Sequence, residues 1–157
     1  MNQTHRGQRH RYTFEHEAEG SAQAVFPLLC PVREREWVPG WEADIVHSES
    51  GVAEAGCVFR VHKHGQPTTW MVTRYEPDTY RIQFAVFHGD SHLEQLDVHL
   101  TPAGIDRCRV HWGRTFTTLN PQGEAAMKAY DETTFRKHMS DLAGHLDGYL
   151  RSGVDID

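Results

Sequence analysis

Residues 120–150 read NPQGEAAMKAYDETTFRKHMSDLAGHLDGYL, and this stretch decides the fold. Asn120 is a side chain that caps helix N-termini, and Pro121 suits the first helical position, where no amide hydrogen is needed. Phe135, Met139, Leu142, Leu146 and Tyr149 recur at helical spacing and make one apolar stripe. Lys128, Asp131, Lys137 and Asp141 fall on other faces. The pattern predicts one long amphipathic helix from about Pro121 to Leu150, with Gly153 as its stop. Gly144 and Gly148 weaken the last turns by about 1 kcal/mol each relative to Ala. Their small size points to a close approach between helix and sheet. A helix this long is not covered by a single hairpin, whereas a curved antiparallel sheet can wrap it and enclose a cavity.

The segments upstream supply such a sheet. Arg11–Glu17 sets Tyr12, Phe14 and His16 against Thr13, Glu15 and Glu17, the period of a strand. Ser21 can cap a short helix carrying Val25, Phe26, Leu28 and Leu29, which Pro27 shortens or kinks. Pro39-Gly40 is a turn. Strands then follow at Trp41–Ser48, Cys57–His64, Thr68–Tyr75, Thr79–His88, His92–Thr101 and Cys108–Thr118. In the first of these, Trp41, Ala43, Ile45 and His47 share a face. Turn sequences separate the strands: Glu49-Ser50-Gly51, Gly65-Gln66-Pro67, Glu76-Pro77-Asp78, Gly89-Asp90 and Pro102–Arg107. Strands at this spacing with short connections imply an antiparallel meander. The fold class is therefore α+β, with about seven strands curved around a long C-terminal helix and two short helices after the first strand.

Composition narrows the function. The chain has 157 residues and a formal charge of −6. That length fits one domain, read as residues 9–151 with flexible termini at 1–8 and 152–157. Nonspecific nucleic-acid binding needs a basic footprint, which this charge lacks. No run of 18 apolar residues is present, so no membrane-spanning helix is expected. The first residues include basic side chains but no apolar core of a secretory signal. Three cysteines, Cys30, Cys57 and Cys108, form an odd set without CxxC. They read as small buried hydrophobes in a reducing cytoplasm. Twelve histidines invite a zinc reading. However, no HExxH occurs, and His62/His64 and His99/His111 each offer two ligands where zinc takes three or four. No metal and no cofactor are expected. His138 and His145, seven residues apart on the long helix, read as solvated or packed.

The segment from Val25 through Pro27, Cys30 and Pro31 to Trp37, followed by Trp41, is similar to the early helical region of bacterial START-like proteins. The order of strand, short helices, six strands and long helix resembles the same helix-grip superfamily, which includes polyketide cyclase/dehydrase-type and lipid-transfer domains. The resemblance runs from about residue 9 to 150. It implies a scaffold with an internal cavity for a small hydrophobic ligand (lipid-, polyketide- or aromatic-like) but no shared catalytic residues. A monomer or homodimer fits equally.

Strand parity identifies the side chains that face the cavity. Ile82, Phe84 and Val86 carry His88 inward. Leu96, Val98 and Leu100 carry His92 and Glu94. Val110, Trp112 and Phe116 carry Arg114, and Tyr12 and Phe14 carry His16. A hairpin pairing Val98 with Val110 would set Glu94 opposite Arg114, a sensible arrangement because unpaired buried charge is costly. The cavity is expected to be lined by Phe59, Trp70, Phe84, Trp112 and Phe116, with His88 and Arg114 among the ligand-binding groups. Three uses of the polar cluster remain open. Its members could sit at strand ends and satisfy one another. They could orient a ligand, with Arg114 suited to a carboxylate. Or Glu94 and His92 could move protons in a cyclase- or dehydrase-type reaction. A protein-interaction module with an empty cavity is a further alternative. The run Arg33-Glu34-Arg35-Glu36 reads as a solvated helical face with local ion pairs. Trp37 and Trp41 read as anchors close to the cavity mouth.

Overall fold

The computed structural model describes residues 6–62 and 66–153. Residues 1–5 and 154–157 of the tails, and His64 and Gly65 of the expected histidine pair and turn, lie outside the described residues. Seven strands form one antiparallel sheet: β1 (Arg9–Ala18), β2 (Ala43–His47), β3 (Val58–His62), β4 (Pro67–Glu76), β5 (Arg81–His88), β6 (His92–Pro102) and β7 (Cys108–Thr118). The spatial order is β1-β7-β6-β5-β4-β3-β2. Strands β2 to β7 make a meander, and β1 closes the sheet beside β7. The chain crosses from one edge to the other through α1 (Ala22–Val25) and two 3₁₀ segments, Phe26–Leu29 and Glu34–Glu36. Ser21 caps α1 by accepting from the Ala24 amide.

The expected continuous helix is two helices, α2 (Pro121–Ala129) and α3 (Glu132–Gly153). Asn120 caps α2, its Oδ1 accepting from Gly123 N at 3.0 Å. Tyr130 then leaves the helical conformation at φ −100°, ψ 72°. Asp131 restarts it, its Oδ1 accepting from Thr134 N at 2.9 Å. A side chain that offers the backbone an acceptor is favoured at a helix start, so Asp131 is a cap and not decoration on a continuous face. Gly123 is needed where it stands, because a Cβ there would come within 2.0 Å of the Ser91 carbonyl oxygen. That contact clamps α2 onto the β5–β6 turn.

The apolar stripe of α3 covers the sheet. Phe135, Met139, Leu146 and Leu150 are buried, while Leu142 and Tyr149 are half-buried. Phe135 stacks on Tyr12 of β1 at 5.2 Å between ring centroids. Gly144 and Gly148 do not serve close packing, since a Cβ at either would meet nothing within 4 Å. Parity holds on β5, β6 and β7, where Ile82, Phe84, Val86, Val98, Leu100, Val110 and Trp112 are all buried. It fails on β2. Ile45 and Val46 are both exposed, because β2 is the edge strand and a bulge between Ile45 and His47 breaks its alternation. Gln8, at the margin of the domain, is tied to the last strand: its amide donates to Thr118 Oγ1 at 2.8 Å.

Candidate functional site

Between the concave face of the sheet and α3 lies a cavity of about 370 Å³. Its wall is largely aromatic: Trp37, Trp41, Trp70, Phe84 and Trp112. Met139 and Leu142 of α3 close the opposite side. The two early tryptophans are fixed by their indole N–H groups. Trp37 donates to the Leu28 carbonyl at 2.8 Å, and Trp41 donates to that of Pro31 at 2.9 Å. They therefore anchor the crossing segment while presenting ring faces to the cavity, as Trp suits both tasks. Trp70 meets Trp41 edge to face at 5.6 Å. Polar groups on the wall are few: Glu34, Gln66, Thr68, His88, Arg114 and His138. Glu34 departs from the expectation of a solvated charged face, although its neighbours Arg33 and Glu36 do form the local ion pair, at 3.1 Å.

One wall holds a connected polar cluster drawn from β5, β6, β7 and the helix junction. The carboxylate of Glu94 has a fully buried side chain. Arg114 grips it with two bonds, Nε to Oε2 at 2.6 Å and Nη2 to Oε1 at 2.8 Å. His88 Nε2 donates to Oε1 at 2.9 Å. The remaining Arg114 nitrogen, Nη1, donates to the Tyr130 hydroxyl at 2.8 Å. That hydroxyl lies 2.8 Å from His138 Nδ1, within hydrogen-bond distance. The guanidinium also sits over the rings of Phe116 and Tyr130, at 5.1 and 5.4 Å. Planarity and five donors suit Arg to this task, in which a lysine would fill only one site.

The charge states follow from the surroundings. Burial raises the Glu94 pKa, but the Arg114 charge and the bonds from His88 and Arg114 outweigh it. The carboxyl is held well below the usual carboxylate range. Arg114 is held above its ordinary value: burial opposes its charge, and Glu94 more than compensates. His92 stacks on His88 at 4.2 Å with planes 7° apart. Burial, then the neighbouring His88, pushes its pKa down from 6.5 to about 4. A folded-state value below the unfolded one means that the unfolded chain binds more protons between pH 6.5 and 4. The contribution is complete above pH 6.5 and is lost as pH falls toward 4. Unfolding by urea should therefore show on the order of 2 kcal/mol less stability at pH 5 than at pH 7.5. His92→Asn should flatten that slope, and an unchanged slope in the variant would remove His92 as its source.

The structure brings the sequence-selected residues together unevenly. Trp70, Phe84, His88, Trp112 and Arg114 line the cavity. Phe59 and Phe116 do not. Phe59 is 1% exposed and backs Trp70 and Phe84, and Phe116 lies beneath Arg114. Glu94 and His92, read as acid–base groups, do not line it either; they are buried behind Arg114 and His88. His16 accepts from the Trp112 indole at 2.9 Å and orients that ring. Glu94 does meet Arg114, but diagonally. The register pairs Val98 with Trp112, so Glu94 stands opposite Phe116 and Arg114 opposite Leu96. The shift of two residues preserves the inward face. Tyr130 and His138 complete the cluster and were missed. Asp131-Glu132-Thr133-Thr134, a capping sequence inside the apparent helix, was the signal that the chain turns at Tyr130. His99 and His111 do face each other across the last hairpin, at 5.8 Å. Among the described residues no three His, Cys, Asp or Glu side chains converge as a metal site would require, and no helix is long and apolar enough to cross a membrane.

A curved seven-stranded sheet gripping a C-terminal helix over an aromatic cavity defines the START-like helix-grip class. The chain belongs to the family of polyketide cyclase/dehydrase and lipid transport proteins, which it matches over residues 9–150. No curated protein matches it in sequence. Solved structures share the fold at low identity. Norcoclaurine synthase from Thalictrum flavum, in complex with dopamine and hydroxybenzaldehyde, is 14% identical with a TM-score of 0.64, covering 87% of this chain and 85% of that one. A START superfamily protein from Mycobacterium smegmatis is 16% identical with a TM-score of 0.67, covering 91% and 98%. The Mll3558 protein from Rhizobium loti is 20% identical with a TM-score of 0.62, covering 92% and 99%.

Proposed function

We propose that this protein binds a small hydrophobic molecule between its sheet and α3. The observation that carries the reading is the cavity of about 370 Å³ walled by four tryptophans and Phe84, with three of its six polar lining residues, His88, Arg114 and His138, gathered in one cluster. A concave, mostly apolar site with a few convergent polar groups is the usual architecture of small-molecule recognition. Its size suits a ligand of two or three fused rings. The small aromatic molecules in the norcoclaurine synthase structure support the same class of occupant. Three unpaired thiols, two of them buried, suit a reducing compartment such as the cytoplasm.

A fluorescent apolar probe tests this reading. It should bind with a stoichiometry near one per chain. Trp112→Ala should weaken binding at least fivefold, because Trp112 forms the wall. Arg60→Ala should change it less than twofold, because Arg60 is exposed. Equal effects from the two substitutions would place the probe on the surface and overturn the reading.

The enzymatic reading has one specific observation in its favour. A buried carboxylate, Glu94, orients an imidazole on the cavity wall, His88, and a carboxylate–histidine pair is a common arrangement for moving protons. Turnover of a carbonyl-bearing aromatic substrate, abolished by His88→Phe with probe binding intact, would establish it.

A further inference from the structure

The polar wall carries information about which hydrophobic molecule fits. Arg114 is the obvious partner for a ligand carboxylate, yet most of its five donors already face partners. Two go to Glu94 and one to the Tyr130 hydroxyl, and Nη1 also lies 3.3 Å from His138 Nδ1. The Glu94 carboxylate matches its charge, so the pair offers a ligand no net positive charge. A carboxylate entering this cavity would lose its hydration without gaining a free cation, and burying such a charge is costly.

His88 is arranged differently. Its ring lines the cavity. Nε2 points at a carboxylate oxygen 2.9 Å away. A carboxylate only accepts, so Nε2 carries the proton. The second nitrogen, Nδ1, has no hydrogen-bond partner among the described residues. In the tautomer that this bond selects, the lone pair of the ring is on Nδ1. The stack on His92 at 4.2 Å fixes the plane of the ring, and Glu94 fixes its tautomer, as an outer carboxylate does for a histidine ligand. The polar wall thus offers a fixed acceptor with a neutral surround.

We propose that the cavity selects a neutral aromatic molecule bearing a hydroxyl group, and that this hydroxyl donates to His88 Nδ1. This rests on the cavity being the binding site, and it adds the chemical class of the occupant. Glu94 acts as a positioning residue that selects the tautomer with its lone pair on Nδ1. A site built around one acceptor discriminates well against an analogue that lacks the donor, because the nitrogen covered by the ligand is then left unpaired.

Three bicyclic probes separate the possibilities: 2-naphthol, its methyl ether and 2-naphthoate, titrated calorimetrically at pH 8. The full chain should bind 2-naphthol at least tenfold tighter than the ether, with naphthoate the weakest. His88→Phe should bring naphthol and ether within twofold of each other. Glu94→Gln should narrow the preference too, because an amide accommodates either tautomer. Equal affinity of naphthol and ether on the parent, with both bound, would overturn the hydroxyl assignment and leave the cavity as a hydrophobic site. A preference that survives His88→Phe, or naphthoate binding tightest, would also overturn it. Failure of all three probes to bind would instead overturn the cavity as a binding site.

Discussion

Arg114→Leu should be among the most damaging single substitutions in this protein, at about 3–5 kcal/mol of stability. The Glu94 side chain is fully buried, and Arg114 supplies two of its three hydrogen bonds. Removing the guanidinium leaves a carboxylate in the core with only His88 to face it. The Tyr130 hydroxyl and His138 lose their contact with the guanidinium at the same time. The double variant Glu94→Leu/Arg114→Leu should recover much of the loss, since replacing a buried ion pair with apolar groups is often neutral or better. Urea midpoints at unchanged slope measure both. A single variant as stable as the parent would mean that the pair is not sealed as the geometry has it.

Phe135→Ala should cost about 3–5 kcal/mol for a different reason. Phe135 is fully buried and stacks on Tyr12 where α3 crosses β1. The vacated volume lies between two rigid elements that have little freedom to collapse into it. Leu142→Asp, one helical turn beyond Met139, should be milder than a fully buried site would imply. Leu142 is only half-buried, so water still reaches an added carboxylate there. Thermal unfolding that ranked Leu142→Asp as worse than Phe135→Ala would put the helix register in error.

The sheet was legible because strand periodicity is simple. On β5, β6 and β7 the alternation of apolar and polar residues places His88, Glu94 and Arg114 on the inner face, where they stand. Parity states a face and nothing more. It could not tell that Trp70 touches the cavity while Phe59, on the neighbouring strand, is packed behind it, because that depends on where α3 lies across the sheet. It also could not fix the hairpin register, since a shift of two residues leaves the face unchanged. The break at Tyr130 was hidden by a stripe of apolar residues starting at Phe135, which is equally consistent with one helix or with two. His138 was unreadable for a related reason. Its partners, Tyr130 and Arg114, arrive from a helix break and from a strand, and helical spacing describes neither.

The strand order also has a consequence in time. The first strand, β1, has one neighbour in the sheet, β7, the last to be made. A ribosome adds about 5–20 residues each second, so β1 emerges roughly 5–20 s before its partner exists. Through that interval Tyr12 and Phe14 have no sheet to lie on, while Arg9, Arg11, Glu15 and Glu17 alternate with them. Charges so placed are a known protection for unpaired strands. The strand that waits longest for its partner is also one whose outer face is built to keep a nascent chain soluble.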